Sequence, residues 1–581
     1  MVPSQVPPPL PQQLPGNRID PNLNNGSGSA SGLHSQHPNV LLDPPVPIPN
    51  YLHPSNISLP TPLPSNTSLP LNLGVSLPTT APSTAPPSPR TAEWAQNQST
   101  HPDPQIDKNL DGTGSFTRKG GSGSSYLGLS SGVTFLNAIL KLCKERGGIF
   151  IDVENTMPGP GMGGGPGSIE GPGDGPKGTL PPKEEYMPFV NSYFEYFHGI
   201  TPMVHEPTVR ATLTGKIPFP KNDSYLALIY MIFAMGALDS VAQESDFHGQ
   251  TYCDIARAIL NNDIMESGSV ELVQAIAILA NYLQRNDKPN AGYLCLGAAV
   301  RMAIGIGLHV HDNHAKMSPL EAEMRKRVWW SIALLESGCS KTFGRPSGLC
   351  GVNLSQIPLP SNIDDEDLTS SSERLPPGVA RETLYSTLIA HSKLARATTI
   401  VHTSILHLQP APSLDQIKQY DRMILQVIGE LPSYITYPTG PVRNNFSRHV
   451  LLWRLRDWRA TLFRPILLAA AFDQIKEKHL NPAIVDAISI CRSLAAENLS
   501  EMGEYIRVAQ LRGSTRAEEW YCMYLSHQSS LTLLLSLVGE PAHVEAEAWR
   551  GTILATATWF RQLKAMKTVC YAYDAESAHQ H

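Results

Sequence analysis

His309-Val310-His311-Asp312-Asn313-His314 gathers imidazoles and a carboxylate into one short run, and neutral imidazoles are good zinc ligands. The run directly follows Gly307, a helix-ending glycine, and histidine is favoured near a helix C-terminus by the dipole. It is therefore read as a turn and not as a metal centre. Gly128-Leu129-Ser130-Ser131-Gly132 has the spacing of a nucleophile elbow, but Gly/Ser-rich text stands where the preceding strand should be. Gly159-Pro160-Gly161-Met162-Gly163-Gly164 has the spacing of a dinucleotide-binding turn and follows the apolar run IFIDV. Prolines and more glycines follow it, where the pyrophosphate-binding helix would have to begin. The acidic run Asp364-Asp365-Glu366-Asp367 lacks the spaced ligands and turn glycine of a calcium loop and reads as a solvated loop. No nucleophile–base pair or complete ligand set converges, so no enzyme is expected, and no catalytic, metal or cofactor-binding residue.

One constellation remains. Arg325-Lys326-Arg327 is followed, after Val328, by Trp329-Trp330, which suggests either a grip on nucleic acid or a buried helix with a charged collar. Ser318-Pro319-Leu320-Glu321 supplies an N-cap serine, a proline at the first helical position and a glutamate at the third. With the helix started there, Met324, Val328, Ser331, Ile332 and Leu335 share a stripe, and the tryptophans straddle its edges. Three consecutive basic residues cannot all point one way, because neighbours are about 100° apart. At least one must sit beside the core stripe, paired with Glu321 or Glu323 or stacked on indole. A nucleic-acid patch would carry more basic residues on one face and no interleaved carboxylates, so the collar reading is preferred.

The elements that must position these residues are helical. Over 581 residues the formal charge is -6, which gives no global field drawing the chain to DNA or an anionic membrane. Its 8 cysteines are scattered without a C-x-x-C pair and read as reduced thiols. The N-terminal text lacks the charged and apolar regions of a secretory signal, and the most apolar run, Tyr225 to Leu238, is too short for a bilayer. Residues 1–121 hold nearly half of the 51 prolines among Ser, Thr, Asn and Gln, a composition expected to stay disordered. A short, partly helical island is expected at 122–154, then a Gly/Pro linker at 155–183. From 184 to 575 helical periodicity is nearly continuous, and 576–581 form a tail. The expected fold is all-α, a multi-helix bundle of antiparallel helices. Helices are expected near 225–238, 269–283, 291–308, 378–407, 414–430, 446–471, 482–510, 515–538 and 545–569.

The order of motifs resembles a known family. VELVQAIAILANYLQ with Gln274, YLCLGAAVRMAIGIGLHVH with Arg301 and His309, SPLEAEMRKRVWWSIALLE, and GRPSGL with Gly344, Arg345 and Pro346 follow one another as in the middle homology region of fungal zinc-cluster (Zn2Cys6) transcription factors, the xylanolytic-activator-type regulatory domain. YFEYFHGITPMVHEPTVRATL resembles the first helix and Phe-Pro-x-x-His turn of that domain, and TYCDIARAIL its Tyr-x-x-Ala helix. VIGELPSYI resembles a helix-ending Leu-Pro, LFRPILL with Arg464 and Pro465 an Arg-Pro ahead of another helix, and SSYLGLSSG the short motif between zinc cluster and regulatory domain. The likeness covers about residues 122 to 575.

Two departures accompany it. Glu336-Ser337 stands where the family usually has Asp-Arg, a pair expected to brace the Gly-Arg-Pro loop, so an altered brace is expected. The six cysteines of the zinc cluster have no counterpart before Cys143, so zinc is expected only if an upstream cysteine cluster exists. The resemblance implies a nuclear regulator of RNA polymerase II transcription that meets promoter DNA only through that cluster, with coactivators or corepressors as partners. It leaves room for a small-molecule inducer and a homodimer, and no membrane is expected. The alternative is a helical scaffold or a corepressor that does not bind DNA. Arg345 is read as a loop anchor or as the border of a regulatory ligand or partner site. Arg301, in otherwise apolar text, is expected to be buried and paired, with Glu336 or Asp239 as acceptors.

Overall fold

The computed structural model describes residues 127–128, 130–146, 180–240, 245–260, 268–286, 288–310, 317–406, 412–436, 445–472 and 482–563. Among the described residues there are helices and loops and no strand. The expected N-terminal tail, most of the Gly/Pro linker and the C-terminal tail lie outside them, as do His311 to His314.

The helices are α1 (Gly132–Glu145), α2 (Lys183–Ser192), α3 (Glu206–Leu213), α4 (Asp223–Asp239), α5 (Ser245–Ile259), α6 (Val270–Arg285), α7 (Pro289–Gly305) and α8 (Pro319–Phe343). They continue as α9 (Ser386–Leu406), α10 (Leu414–Gly429), α11 (Asn445–Ala471), α12 (Pro482–Arg512), α13 (Arg516–Gly539) and α14 (Ala546–Phe560). Side chains accept the orphan amides where the sequence supplies them. Asn222 caps α4 at Tyr225, Ser269 caps α6 at Leu272, and Ser413 and Thr515 close capping boxes on α10 and α13.

α4 carries apolar residues on every side and is buried on every side. Ile229, Met231, Ile232, Phe233 and Ala234 are wholly excluded from water. α2, α5 and α6 pack around it, and α7 packs on α6. Further along the chain, α11, α12 and α13 pack on one another, with α10 on α11 and α14 across α12 and α13. α8 joins the two groups. It touches α6 and α7 at one side and α9 at the other, and α9 rests on α11. α1 reaches across the sequence to pack on α13. Arg146, just past α1, donates to the carbonyls of Val538 at 2.8 Å and Gly539 at 2.7 Å, and to that of Ala471 at 2.9 Å. These are terminal carbonyls of α13 and α11, which have no helical partner of their own.

Three local expectations change. The helix expected at 545–569 ends at Phe560. α9 begins at Ser386, not at 378, because the preceding stretch is held as a loop by Asn362, whose amide donates to the carbonyls of Val379 and Arg381. Pro465 lies inside α11 and not ahead of a new helix. Buried Leu462, Phe463 and Leu467 anchor the helix on both sides of the proline, and this packing carries α11 through a residue that cannot donate its own amide.

Candidate functional site

α8 is the element on which the sequence motifs converge. Ser318 accepts the amide of Glu321 at 3.2 Å, and Pro319 occupies the first helical position. Gly344 ends the helix at φ 63°, a left-handed cap that only glycine adopts freely. Trp329 and Trp330 are both 0% exposed. The Trp330 indole donates to the Pro358 carbonyl at 2.7 Å, and the Arg396 guanidinium lies 5.2 Å from its ring. The pair is core, so this face of α8 is not a nucleic-acid grip.

The basic collar divides by depth. Arg327 is wholly buried. Its guanidinium donates to Glu323 at 3.3 Å and to Asp365 at 2.6 Å, and stacks 3.4 Å from the Tyr385 ring. Tyr385 donates its hydroxyl to the same Asp365 oxygen at 2.6 Å. Ser361 donates its amide to Glu323 at 2.8 Å, and the Glu206 amide donates to Asp365 at 3.2 Å. Burial alone would raise the Asp365 carboxyl, but Arg327 and His205 beside it hold it below the usual range. His198 lies nearby with neither ring nitrogen bonded, and burial pulls it down to about 3. Sequence reading placed Asp365 in a solvated loop. The structure instead makes it the centre of a closed charge cluster, and Asp364 is buried beside it.

Arg345 sits at the far end of α8, some 20 residues and about 30 Å of helix from Arg325. It donates to Asn290 at 2.8 Å and stacks on Tyr293 at 4.6 Å and Phe343 at 5.0 Å. The Pro346 carbonyl accepts from the Tyr293 hydroxyl at 3.3 Å. The loop does have a brace. Glu336 accepts from the Gly348 amide at 2.6 Å and the Ser340 hydroxyl at 2.9 Å, so glutamate performs the bracing expected to be altered. One turn on, buried Lys341 pairs with Asp457 of α11.

The remaining motif residues separate. Arg464 is buried with its guanidinium 4.3 Å from the Phe135 ring, which ties α11 to α1. His309 lies 5.7 Å from Trp329, and no cluster of three metal-binding side chains occurs among the described residues. Arg301 is exposed and pairs with neither expected acceptor. Asp239 is taken by Arg285 and Glu336 by the loop, while α7 turns Ala291, Leu294, Arg301 and Gly305 outward together.

Gln274 and Arg325 do come together. With His205 they line an open cleft of about 400 Å³ between α3, α4, α6 and the first turn of α8. The Gln274 amide donates to the Met203 carbonyl. The Arg325 guanidinium donates to the Ile306 carbonyl at 2.6 Å, and its Nε has no partner. The gathering of these residues was not visible in the sequence, where His205 and Gln274 stand far apart.

Residues 190–432 match the family model described as the fungal specific transcription factor domain. The chain is 29% identical over 265 residues to the ABC-transporter-regulating transcription factor of Aspergillus oryzae, a match covering 43% of this chain and 28% of that protein. It is 27% identical over 190 residues to the lactose regulatory protein LAC9 of Kluyveromyces lactis, covering 32% of this chain and 21% of that one. It is 25% identical over 382 residues to the activator of stress genes 1 of Saccharomyces cerevisiae, covering 61% and 38%. The chain thus spans well under half the length of these curated relatives. At its centre this chain is thus similar to the fungal specific transcription factor domain, and these similar proteins are fungal transcription regulators.

Proposed function

We propose that this chain is the regulatory body of a nuclear fungal transcription regulator. The observation that carries the reading is the match of residues 190–432 to the regulatory-domain family, on a helical body in which the matching motifs are packing elements. Such a body acts by restraining or exposing a surface read by coactivators or corepressors. Promoter DNA is met through a six-cysteine zinc cluster, and these 581 residues carry no C-x-x-C pair with which to build one. Within the body the groups with chemistry are committed to structure. Arg327, Asp365 and Glu323 neutralise one another, and Arg345 anchors a loop. The open cleft beside Arg325 is the place where a small inducer can bias the packing of α8 against α6, since a ligand shifts an equilibrium only by its differential affinity for the two states.

The test is a reporter whose promoter recruits this chain through a fused heterologous DNA-binding domain. Altered transcription that depends on carbon or nitrogen source is the expected result. Silence on every source would remove the regulator reading.

A further inference from the structure

The cleft at the start of α8 has walls of two kinds. Val204, Val209, Leu228, Val270, Leu320 and Met324 form an apolar side, and its volume of about 400 Å³ suits a small molecule. The polar side is partly committed. Both ring nitrogens of His205 are engaged, by Thr208 at 2.7 Å and by the Asp365 carbonyl at 3.2 Å, and Ser318 caps α8. Three charged groups are left. Arg325 is only 7% exposed, yet its Nε has no partner. Glu271 and Glu321, in the first turns of α6 and α8, line the same cleft and form no ion pair within 4.0 Å among the described residues. A buried guanidinium N–H left without an acceptor is costly, and a ligand oxygen would relieve it.

We propose that this cleft binds a small aliphatic zwitterion, its carboxylate on Arg325, its ammonium between Glu271 and Glu321, and its aliphatic chain on the Val204–Leu228–Leu320 wall. The proposal rests on the regulatory reading above and names the ligand chemistry of that regulation. Two carboxylates against one guanidinium make the lining negative, which disfavours a simple anion. A simple amine would leave Arg325 Nε as it is. The N-termini of α6 and α8 are already capped by Ser269 and Ser318, so they do not recruit an anion by themselves. Only a ligand with both charges satisfies both sides.

The full chain is titrated calorimetrically with L-leucine and L-valine, and with isovalerate and isopentylamine, which each lack one of the two charges. Saturable one-to-one binding of an amino acid is expected, with the single-charge analogues weaker by about ten-fold or more, the worth of one charge-assisted hydrogen bond. Glu271→Gln with Glu321→Gln should erase the preference for the amino acid over isovalerate. Thr208→Trp, which fills the cleft, should abolish binding while leaving the circular dichroism spectrum unchanged. No saturable binding of either amino acid to folded chain overturns the proposal, as does undiminished binding in folded Thr208→Trp. The tethered reporter separates the two readings. An active reporter without amino-acid binding removes the ligand and keeps the regulator, and binding with a silent reporter does the reverse.

Discussion

Gly128 and Gly344 meet backbone against backbone. The Gly128 amide donates to the Phe343 carbonyl at 2.9 Å. A β-carbon on Gly128 would stand 1.8 Å from the Gly344 carbonyl oxygen, and one on Gly344 would stand 2.4 Å from the Gly128 carbonyl carbon. The Ser130 hydroxyl adds a bond to the Lys341 carbonyl at 3.0 Å. Gly128 and Ser130, in the text that imitates a nucleophile elbow, are therefore a strap on the end of α8, and Gly132 of the same text already begins α1.

Gly128→Ala should lift this strap, because neither clashing group is a flexible side chain. The expected cost is about 1–3 kcal/mol, the usual range for overpacking. Gly344→Ala should cost more, since its φ of 63° adds roughly 1 kcal/mol of left-handed strain. Urea unfolding measures the stability, and amide exchange in Gly132–Glu145 reports release of α1. Wild-type values for both variants would show that the contact is not held in solution.

Asp365→Ala should cost about 3–5 kcal/mol, because Arg327 would keep a buried charge with half its pairing gone. Tyr385→Phe should cost less, about 1–3 kcal/mol, since it removes one hydroxyl donor and keeps the ring under the guanidinium. Denaturation of the two single variants and the double variant gives the coupling. Additive losses would mean that the Tyr385 hydroxyl does not bond Asp365 as described.

This cluster also shows what the sequence could and could not disclose. The α8 boundaries were legible because the signals are local: a capping serine, a proline at the first position, a left-handed glycine at the end. Burial of one basic residue followed from the angle between neighbours on a helix. Its main partner did not, because Asp365 lies 38 residues on, in an acidic run whose composition resembles a solvated loop. Arg301 misled for the opposite reason. Apolar text surrounds it, but α7 buries one face only, and Leu294, two turns away on the open face, is itself 72% exposed. The family resemblance gave the order of the helices. The meeting of His205, Gln274 and Arg325 at one cleft is a tertiary fact with no local signal.

Trp329→Phe and Trp330→Phe should separate, although both indoles are equally buried. Trp330 donates to the Pro358 carbonyl, so losing its N–H leaves an acceptor unmet and costs about 1–3 kcal/mol beyond the lost volume. The Trp329 N–H has no partner, so its replacement removes volume and an unpaired donor together. The Trp330 variant should be the less stable of the two in urea, and equal midpoints would contradict the hydrogen bond.

Acid should weaken the domain through its buried histidines. Burial pulls His198 and His527 down from 6.5 to about 3, and His402 to about 4. A histidine whose folded pKa lies below its unfolded value binds its proton more readily in the unfolded chain, so stability rises with pH across that interval and falls on acidification. The window opens near pH 6.5 and extends to about 4 for His402 and about 3 for the other two. Each should remove roughly 1 kcal/mol per pH unit within it. Glu501, held at about 2 by His449 and Arg456 against the opposing effect of burial, adds a second loss below its ordinary 4.5. Unfolding free energies measured between pH 7.5 and pH 5 therefore test the histidines separately from Glu501. His527→Gln, which cannot take up a proton, should flatten the slope by about one histidine's share. A pH-independent stability across that range would mean that these imidazoles are hydrated, not sealed in the core.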